Sequence, residues 1–151
     1  MHDATDRRIL RHLLADPDAP NSDLAQRAGV TQASLWRRLD RMRATGIIAA
    51  IQGRIDWRAL GYEVQVSLRF TLDKTDPRAF DDFIAAAREV PEVLEIQTFL
   101  GSVDLRLSVI ARDMAHWQQI YRDRILRLPH VSDSDALMLV STIKDSVELA
   151  L

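Results

Sequence analysis

The 151-residue sequence predicts an α+β protein in two parts, a (winged) helix-turn-helix followed by a ferredoxin-like β-α-β-β-α-β domain. Three observations lead to this fold class. The first 46 residues show helical periodicity, with a glycine between the second and third predicted helices. Residues 62–72 alternate apolar and polar side chains, as a half-buried strand does. Two strand–helix–strand patterns then follow in tandem, with Val90-Pro-Glu-Val93 and Leu128-Pro-His-Val131 standing 38 residues apart.

Two helices are predicted before residue 29. Asp3 caps the first helix, and the prolines at positions 17 and 20 break it. Asn21 is predicted to cap the second helix, which Gly29 ends because glycine adopts the left-handed conformation without strain. The positions predicted to face inward are Ile9, Leu10, Leu13, Leu14, Leu24, Ala25 and Ala28.

The third helix, at about residues 32–44, is predicted to be the recognition helix of the helix-turn-helix. Thr31 caps it and Gly46 ends it. Its apolar stripe consists of Leu35, Leu39 and Met42. The opposite arc is rich in arginine, whose forked guanidinium matches phosphate groups and guanine edges. The residues predicted to contact DNA are Gln32, Ala33, Ser34, Trp36, Arg37, Arg38 and Arg41.

Other roles for this helix stay open. Its arginines could form a solvated face in which Asp40 pairs with Arg37 or Arg43. Trp36 lies off the apolar stripe and could pack on a neighbouring helix or on a second copy of the chain. Residues 1–54 carry nine arginines and six aspartates, a net charge of +3, whereas the remainder carries −5, but charge alone does not decide between these roles. The spacing of the three helices and the glycine turn favour DNA binding.

Residues 47–61 are predicted to be an extended linker or wing strand between domains at 1–46 and 62–151. The second domain has predicted strands at 62–72, 93–100, 105–111 and 131–143. Its helices begin at Asp76 and Asp113, and prolines at positions 91 and 129 follow them. Their predicted inward positions are Phe80, Phe83, Ile84, Ala87, Trp117, Ile120, Tyr121, Ile125 and Leu128. Residues 136–143 are apolar on both sides, which predicts dimerisation of sheet on sheet.

The composition excludes several classes of function. The sequence has no cysteine, which rules out disulfides, thiol catalysis and thiolate metal sites. No apolar run reaches the ~18 residues of a membrane-spanning helix, and the N-terminus has no secretory signal, so we expect a cytoplasmic protein without a membrane partner. The four histidines (His2, His12, His116 and His130) are scattered, and no nucleophile motif or phosphate loop is present. We therefore predict no catalytic residue, cofactor or metal site.

Several short motifs, in their order and spacing, resemble the Lrp/AsnC (leucine-responsive, feast/famine) transcription regulators over essentially the whole chain. The motifs are Asp6-Arg-Arg-Ile-Leu10, Asn21-Ser-Asp-Leu-Ala25, Gly29-Val-Thr-Gln32, Arg37-Arg-Leu39, Gly46-Ile-Ile48, Ala59-Leu-Gly61, Pro91-Glu-Val93, Gly101-x-x-Asp104 and Leu128-Pro-His-Val131. The resemblance implies a regulator that binds double-stranded DNA through its helix-turn-helix. It also implies a ferredoxin-like RAM domain, homodimers that join into tetramers or octamers, and a small amino-acid effector.

The same resemblance implies an effector site formed by Gly101, Ser102, Val103, Asp104, Ser134 and Ala136. Gly101 allows close backbone approach, Ser102 offers a hydroxyl, and Asp104 can accept from an ammonium group. The family usually has an acidic residue after this glycine and two aromatics nearby, which this chain lacks. A small or aliphatic ligand is therefore favoured, and a plain hairpin turn is the alternative.

Two further classes of function are weighed against the regulator. Some Lrp/AsnC-like proteins resemble sirohaem decarboxylases, enzymes that use histidines and arginines on a tetrapyrrole, but the scattered histidines disfavour this reading. An amino-acid-binding module without a DNA role conflicts with the arginine-rich helix. We expect a regulator that is not an enzyme.

Overall fold

The computed structural model describes residues 2–145, whose contacts divide the chain into two units. Among the described residues, the first unit comprises residues 2–54 with 143–145, and the second comprises Ile55–Thr142. Residue 1 of the predicted N-terminal domain and residues 146–151 of the predicted C-terminal domain lie outside the described residues. No helix in residues 2–145 combines the length and apolar character needed to cross a membrane.

Three helices build the first unit: α1 (Ala4–Ala15), α2 (Asn21–Ala28) and α3 (Gln32–Ala44). They enclose the predicted core, and its buried members are Ile9, Leu24, Ala25, Ala28, Leu35, Leu39 and Met42. Leu10 and Leu13 pack against this core while partly buried. Leu14 was predicted to face inward, but it is 40% exposed because it lies beyond the edge of the buried face.

The helix caps explain where α1 and α3 begin. Asp3 and Asp6 form a capping box, in which each side chain accepts a hydrogen bond from the other's backbone N–H. The hydroxyl of Thr31 accepts from the N–H of Ser34 at 3.2 Å, as its predicted capping role requires. Gly29 has φ 63°, so the predicted left-handed end of α2 is confirmed.

The predicted cap of α2 is wrong by one residue. Pro20 holds the N-cap position, and Asn21 is already helical and makes no capping hydrogen bond. The carbonyl of Pro20 accepts from the N–H groups of Asp23 and Leu24, both at 3.0 Å, so helical hydrogen bonding begins before Asn21. Residues 47–61, predicted to be an extended linker or wing strand, form neither helix nor strand, so the wing-strand alternative is not observed there.

The second unit is an antiparallel sheet with two helices. Its elements are β1 (Val64–Leu72), α4 (Ala79–Arg88), β2 (Val93–Thr98), β3 (Leu105–Ala111), α5 (Met114–Asp123), a 3₁₀ turn (Ile125–Arg127) and β4 (Val131–Met138). The strands lie in the order β2-β3-β1-β4. This arrangement confirms the predicted ferredoxin-like fold.

Alternation along β1 places its apolar side chains on the face covered by the helices. Val66, Leu68, Phe70 and Leu72 are all buried, and the rings of Phe70 and Phe83 lie 4.9 Å apart. Each large apolar side chain buried in this way stabilises the fold by about 1.5–3 kcal/mol relative to full exposure.

Both helices of the second unit differ in extent from the prediction. The side chain of Asp76 accepts from the N–H of Arg78, forming a turn that delays the start of α4 until Ala79. Helix α5 ends at Asp123, and the tighter 3₁₀ turn after it keeps Ile125 buried. Three other predicted inward residues, Phe80, Ile84 and Tyr121, are partly buried.

The predicted last strand, residues 131–143, is too long. It ends at Met138, which pairs with Val66 near the start of β1, and Leu139 adds one hydrogen bond to Gln65. The described residues after Leu139 form no further strand. Strand β2 ends at Thr98 rather than at residue 100, with one further hydrogen bond from the N–H of Phe99 to the carbonyl of Asp104 at 2.9 Å.

Candidate DNA interface and effector site

The recognition helix α3 presents one face to the core and one to solvent. Gln32, Ala33, Trp36, Arg37 and Arg41 are exposed, and Ser34 is half-buried. Trp36 is 62% exposed, so it does not pack into the core of its own unit. The structure thus brings most of the predicted DNA-contacting side chains together on one open surface.

Arg38 departs from this surface because it turns towards α1. Its Nη1 donates to Asp3 Oδ2 at 2.8 Å and to Asp6 Oδ1 at 2.7 Å. Arg41 Nη2 donates to the other oxygen of Asp6 at 2.6 Å. We call Asp3, Asp6, Arg38 and Arg41 the Asp6 cluster. Sequence periodicity did not reveal it, since its acidic and basic members stand more than 30 residues apart.

The electrostatics of the Asp6 cluster favour its charged form. Burial alone would raise the pKa of Asp6, but hydrogen bonds from Arg38 and the Asp3 N–H, together with the charge of Arg41, hold that pKa below its ordinary value. A hydrogen bond from Arg38 likewise lowers the pKa of Asp3. The pKa of Arg38 is raised by its hydrogen bonds to both carboxylates.

The other two arginines of α3 are unlike Arg38. Arg37 and Arg43 are exposed, and neither forms an ion pair within residues 2–145. The alternative in which Asp40 pairs with one of them is therefore not observed in this part of the chain. Two guanidinium groups remain open to an incoming anion.

The predicted effector turn lies between β2 and β3, beside the end of β1. Gly101 has φ 150°, and the Ser102 carbonyl accepts from the hydroxyl of Thr71 at 3.2 Å. Asp104 is buried and its carboxylate already has two partners, the N–H of Leu72 and the Nζ of Lys74, each at 2.9 Å. Burial would raise the pKa of Asp104, but the Lys74 and Leu72 hydrogen bonds and the charge of Lys74 lower it overall.

The remaining predicted effector residues lie on the other side of β1. Ser134 pairs with Phe70, whereas Phe70 pairs with Leu105 on its opposite side. Since neighbouring strands are about 4.8 Å apart, Ser134 and the turn leading into β3 are roughly 10 Å apart. Ala136 pairs with Leu68, one step further into the sheet. The two predicted halves of the site therefore share one end of the sheet, separated by β1.

Two polar groupings in the second unit were not predicted. Asp76, Asp82 and His130 bring donor atoms within 4.8 Å of one another, and within residues 2–145 they form the one cluster of three such side chains that could hold a metal ion. His130 Nε2 lies 3.0 Å from Asp82 Oδ2. Their spacing along the chain, 48 residues between His130 and Asp82, gives no local motif.

The second grouping consists of Glu92, Arg112 and His116, which line a polar cavity of about 280 Å³. His116 Nδ1 accepts from the N–H of Arg112 at 3.1 Å, which leaves Nε2 facing Glu92 Oε1 at 3.7 Å. This grouping also joins separate segments, so periodicity alone did not indicate it.

Comparisons with known proteins agree with both units. The family described as winged helix-turn-helix DNA-binding matches residues 2–49, and the Lrp/AsnC ligand binding domain matches residues 65–149. A proline dehydrogenase transcriptional activator from Rhodobacter capsulatus is 30% identical over 141 residues, covering 93% of this chain and 92% of the relative. The leucine-responsive regulatory protein of Salmonella typhimurium is 27% identical, covering 99% and 91% of the two chains.

A solved structure is similar over the same extent. A transcriptional regulator from Neisseria meningitidis, determined as a complex with L-Met, has a TM-score of 0.90 and 26% identity, and the match covers 99% of this chain and 96% of that one. Since one family match spans more than half of the sequence and a 30% identical relative spans nearly all of it, the assignment is firm. This chain belongs to the Lrp/AsnC family of transcription regulators, with a DNA-binding helix-turn-helix before a ligand-binding domain.

Proposed function

We propose that α3 recognises a DNA sequence through its exposed surface, with contacts from Gln32, Ala33, Ser34, Trp36, Arg37 and Arg41. The observation that carries this proposal is the position of Arg37, exposed and unpaired in residues 2–145, on the second helix of a helix-turn-helix. The first turns of such a helix reach base edges, and arginines beside them bind phosphate or guanine.

A pair of arginine variants tests this interface. Arg37→Ala should weaken binding to the DNA upstream of the protein's own gene by about 1–3 kcal/mol if Arg37 contacts a base. Arg7→Ala removes an equal charge from the exposed part of α1 and serves as the matched control. Fluorescence anisotropy at fixed salt gives both affinities, and equal affinities for the two variants would show that the interface lies elsewhere.

We also propose an amino-acid effector at the end of β1, bound between the turn Gly101–Asp104 and the β4 residues Ser134 and Ala136. The carboxylate of Asp104 binds the ammonium group of Lys74 in the structure. This contact supports the proposal, because the ammonium group of the effector would bind the same carboxylate in the same way. The effector displaces the ammonium of Lys74, whose side chain is more than half exposed. The complex of the Neisseria meningitidis relative with L-Met supports the ligand class.

A thermal-shift screen of the twenty amino acids tests the effector site. A ligand present at 100 times its dissociation constant stabilises the protein by ~2.7 kcal/mol. Asp104→Asn should abolish the shift, whereas Lys74→Gln should keep or increase it because the competing ammonium is gone. No shift with any amino acid, or a shift that survives Asp104→Asn, would remove this site.

We propose that the chain forms homodimers through its sheet. The exposure of apolar side chains on and after β4 supports this assembly, including Leu137, Met138, Leu139 and Val140.

We also propose that the protein acts in the cytoplasm and is not an enzyme, since the relatives it resembles are named as transcription regulators. A visible absorption band in the purified protein would instead favour the tetrapyrrole enzyme.

A further inference from the structure

Asp6 is a fully buried carboxylate between α1 and α3. Its two oxygens accept from different arginines of the recognition helix, Arg38 at 2.7 Å and Arg41 at 2.6 Å. Asp3 accepts from the same Nη1 of Arg38, and the capping box holds both carboxylates at the start of α1. Half of the four arginines in α3 are thus bound by carboxylates of their own unit.

The degree of exposure separates these arginines further. The side chain of Arg38 is 20% exposed, whereas that of Arg41 is 48% exposed. A phosphate that approached Arg38 would compete with two carboxylates, one of them without contact to water. Withdrawing an arginine from a buried carboxylate is strongly unfavourable because an uncompensated charge remains. Arg38 is therefore withheld from DNA, and Arg41 is held in one orientation while its outer side stays open.

We propose that Asp6 is a positioning residue that limits the sequence-independent affinity for DNA by restricting which arginines of α3 bind phosphate. Sequence-independent affinity grows with the number of phosphate contacts, whereas base contacts supply discrimination. By binding Arg38 and orienting Arg41, Asp6 keeps the number of phosphate contacts small. This inference rests on the proposed binding of DNA by α3.

The variant Asp6→Asn keeps the size and one acceptor oxygen but loses the charge. Each arginine released to a phosphate should steepen the salt dependence, log K against log [salt], by ~0.9. For DNA of shuffled sequence we expect the slope to steepen by about 1–2 and the affinity at 0.15 M salt to rise about fivefold per added contact. Because a phosphate contact strengthens binding to all sequences alike, the ratio of specific to non-specific affinity should change less than either affinity.

Asp40→Asn is the matched control, because it makes the same charge change on α3 at a carboxylate with no ion pair in residues 2–145. It releases no arginine and should leave the slope at the parent value. Equal slopes for Asp6→Asn and Asp40→Asn would reduce the effect to net charge and overturn the proposal.

Arg38→Gln and Arg37→Gln provide a test that does not depend on the folding of Asp6→Asn. We expect the parent slope for Arg38→Gln and a slope shallower by ~0.9 for Arg37→Gln; a shallower slope for Arg38→Gln would contradict the proposal.

A measurement on the protein without DNA separates this inference from the proposed function. An arginine-selective dicarbonyl reagent, followed by peptide mass spectrometry, should modify Arg38 several-fold more slowly than Arg37 in the parent. In Asp6→Asn, Arg38 should react faster. Equal reactivity of Arg38 and Arg37 in the parent would overturn the withholding of Arg38 even if the protein binds DNA. Slow modification of Arg38 in a parent that does not discriminate DNA sequences would overturn the proposed function and, with it, the role of Asp6 in DNA binding.

Discussion

Each unit buries one carboxylate among the described residues. Asp6 accepts from two arginines in the first unit, and Asp104 accepts from Lys74 and a backbone N–H in the second. In both cases hydrogen bonds and cationic charge outweigh the effect of burial, so the folded pKa lies below the unfolded value of 3.8. Such groups stabilise the fold above the unfolded pKa and lose that contribution as the pH falls through the folded pKa.

Asp104→Asn tests this linkage at a single residue. At pH 7 the variant should be less stable than the parent by about 1–2 kcal/mol. This is the contribution of a charge-assisted hydrogen bond, reduced because solvent screens the exposed Lys74. The difference should shrink as the pH falls below the unfolded pKa of 3.8 and through the lower folded pKa, because the carboxylate of the parent takes up a proton first in the unfolded and then in the folded state. Urea unfolding at pH 7 and pH 3 measures it, with Asp135→Asn at an exposed ion pair to Arg69 as the control. A difference that is unchanged at pH 3 would contradict the linkage.

Helices and strands were largely predictable because their cores follow simple periods. The i, i+4, i+7 spacing of Leu35, Leu39 and Met42 and the alternation along β1 both match buried faces. The ends were less predictable: β4 stops where its neighbour β1 begins, and that information lies about 70 residues away. Helical periodicity also indicated which side chains of α3 face away from the core and could contact DNA. The ion pair of Arg38 with Asp6 has no such local signal in the sequence.

The edge strand β4 also gives a prediction for assembly. It pairs with β1 on one side only and leaves Leu137 on a face that the helices do not cover, since Leu137 pairs with Ser67. We expect dimers at micromolar concentration by light scattering, and Leu137→Asp should shift them towards monomers. Thr98→Asp adds the same charge at an exposed position of β2 and should leave the dimer intact. A monomeric parent protein would contradict the proposed sheet interface.

At the scale of the whole molecule, the chain joins a basic unit to an acidic one. The positive charge of residues 1–54 suits a polyanion, whereas the sheet domain supplies the proposed surfaces for a partner copy and an effector. An effector bound to the second unit alters DNA affinity only if it binds two assembly states unequally. A dimer would present two copies of α3, which suits two half-sites related by a two-fold axis.

We expect helix α3 to make this protein discriminate between DNA sequences. The most direct measurement is the ratio of its affinities for the DNA upstream of its own gene and for the same DNA shuffled, at 0.15 M salt. Sequence-specific regulators typically bind their sites 10³-fold or more tightly than other DNA. We predict a ratio of at least about 10³ that falls in Arg37→Ala. Equal affinities for the two DNAs would contradict the account.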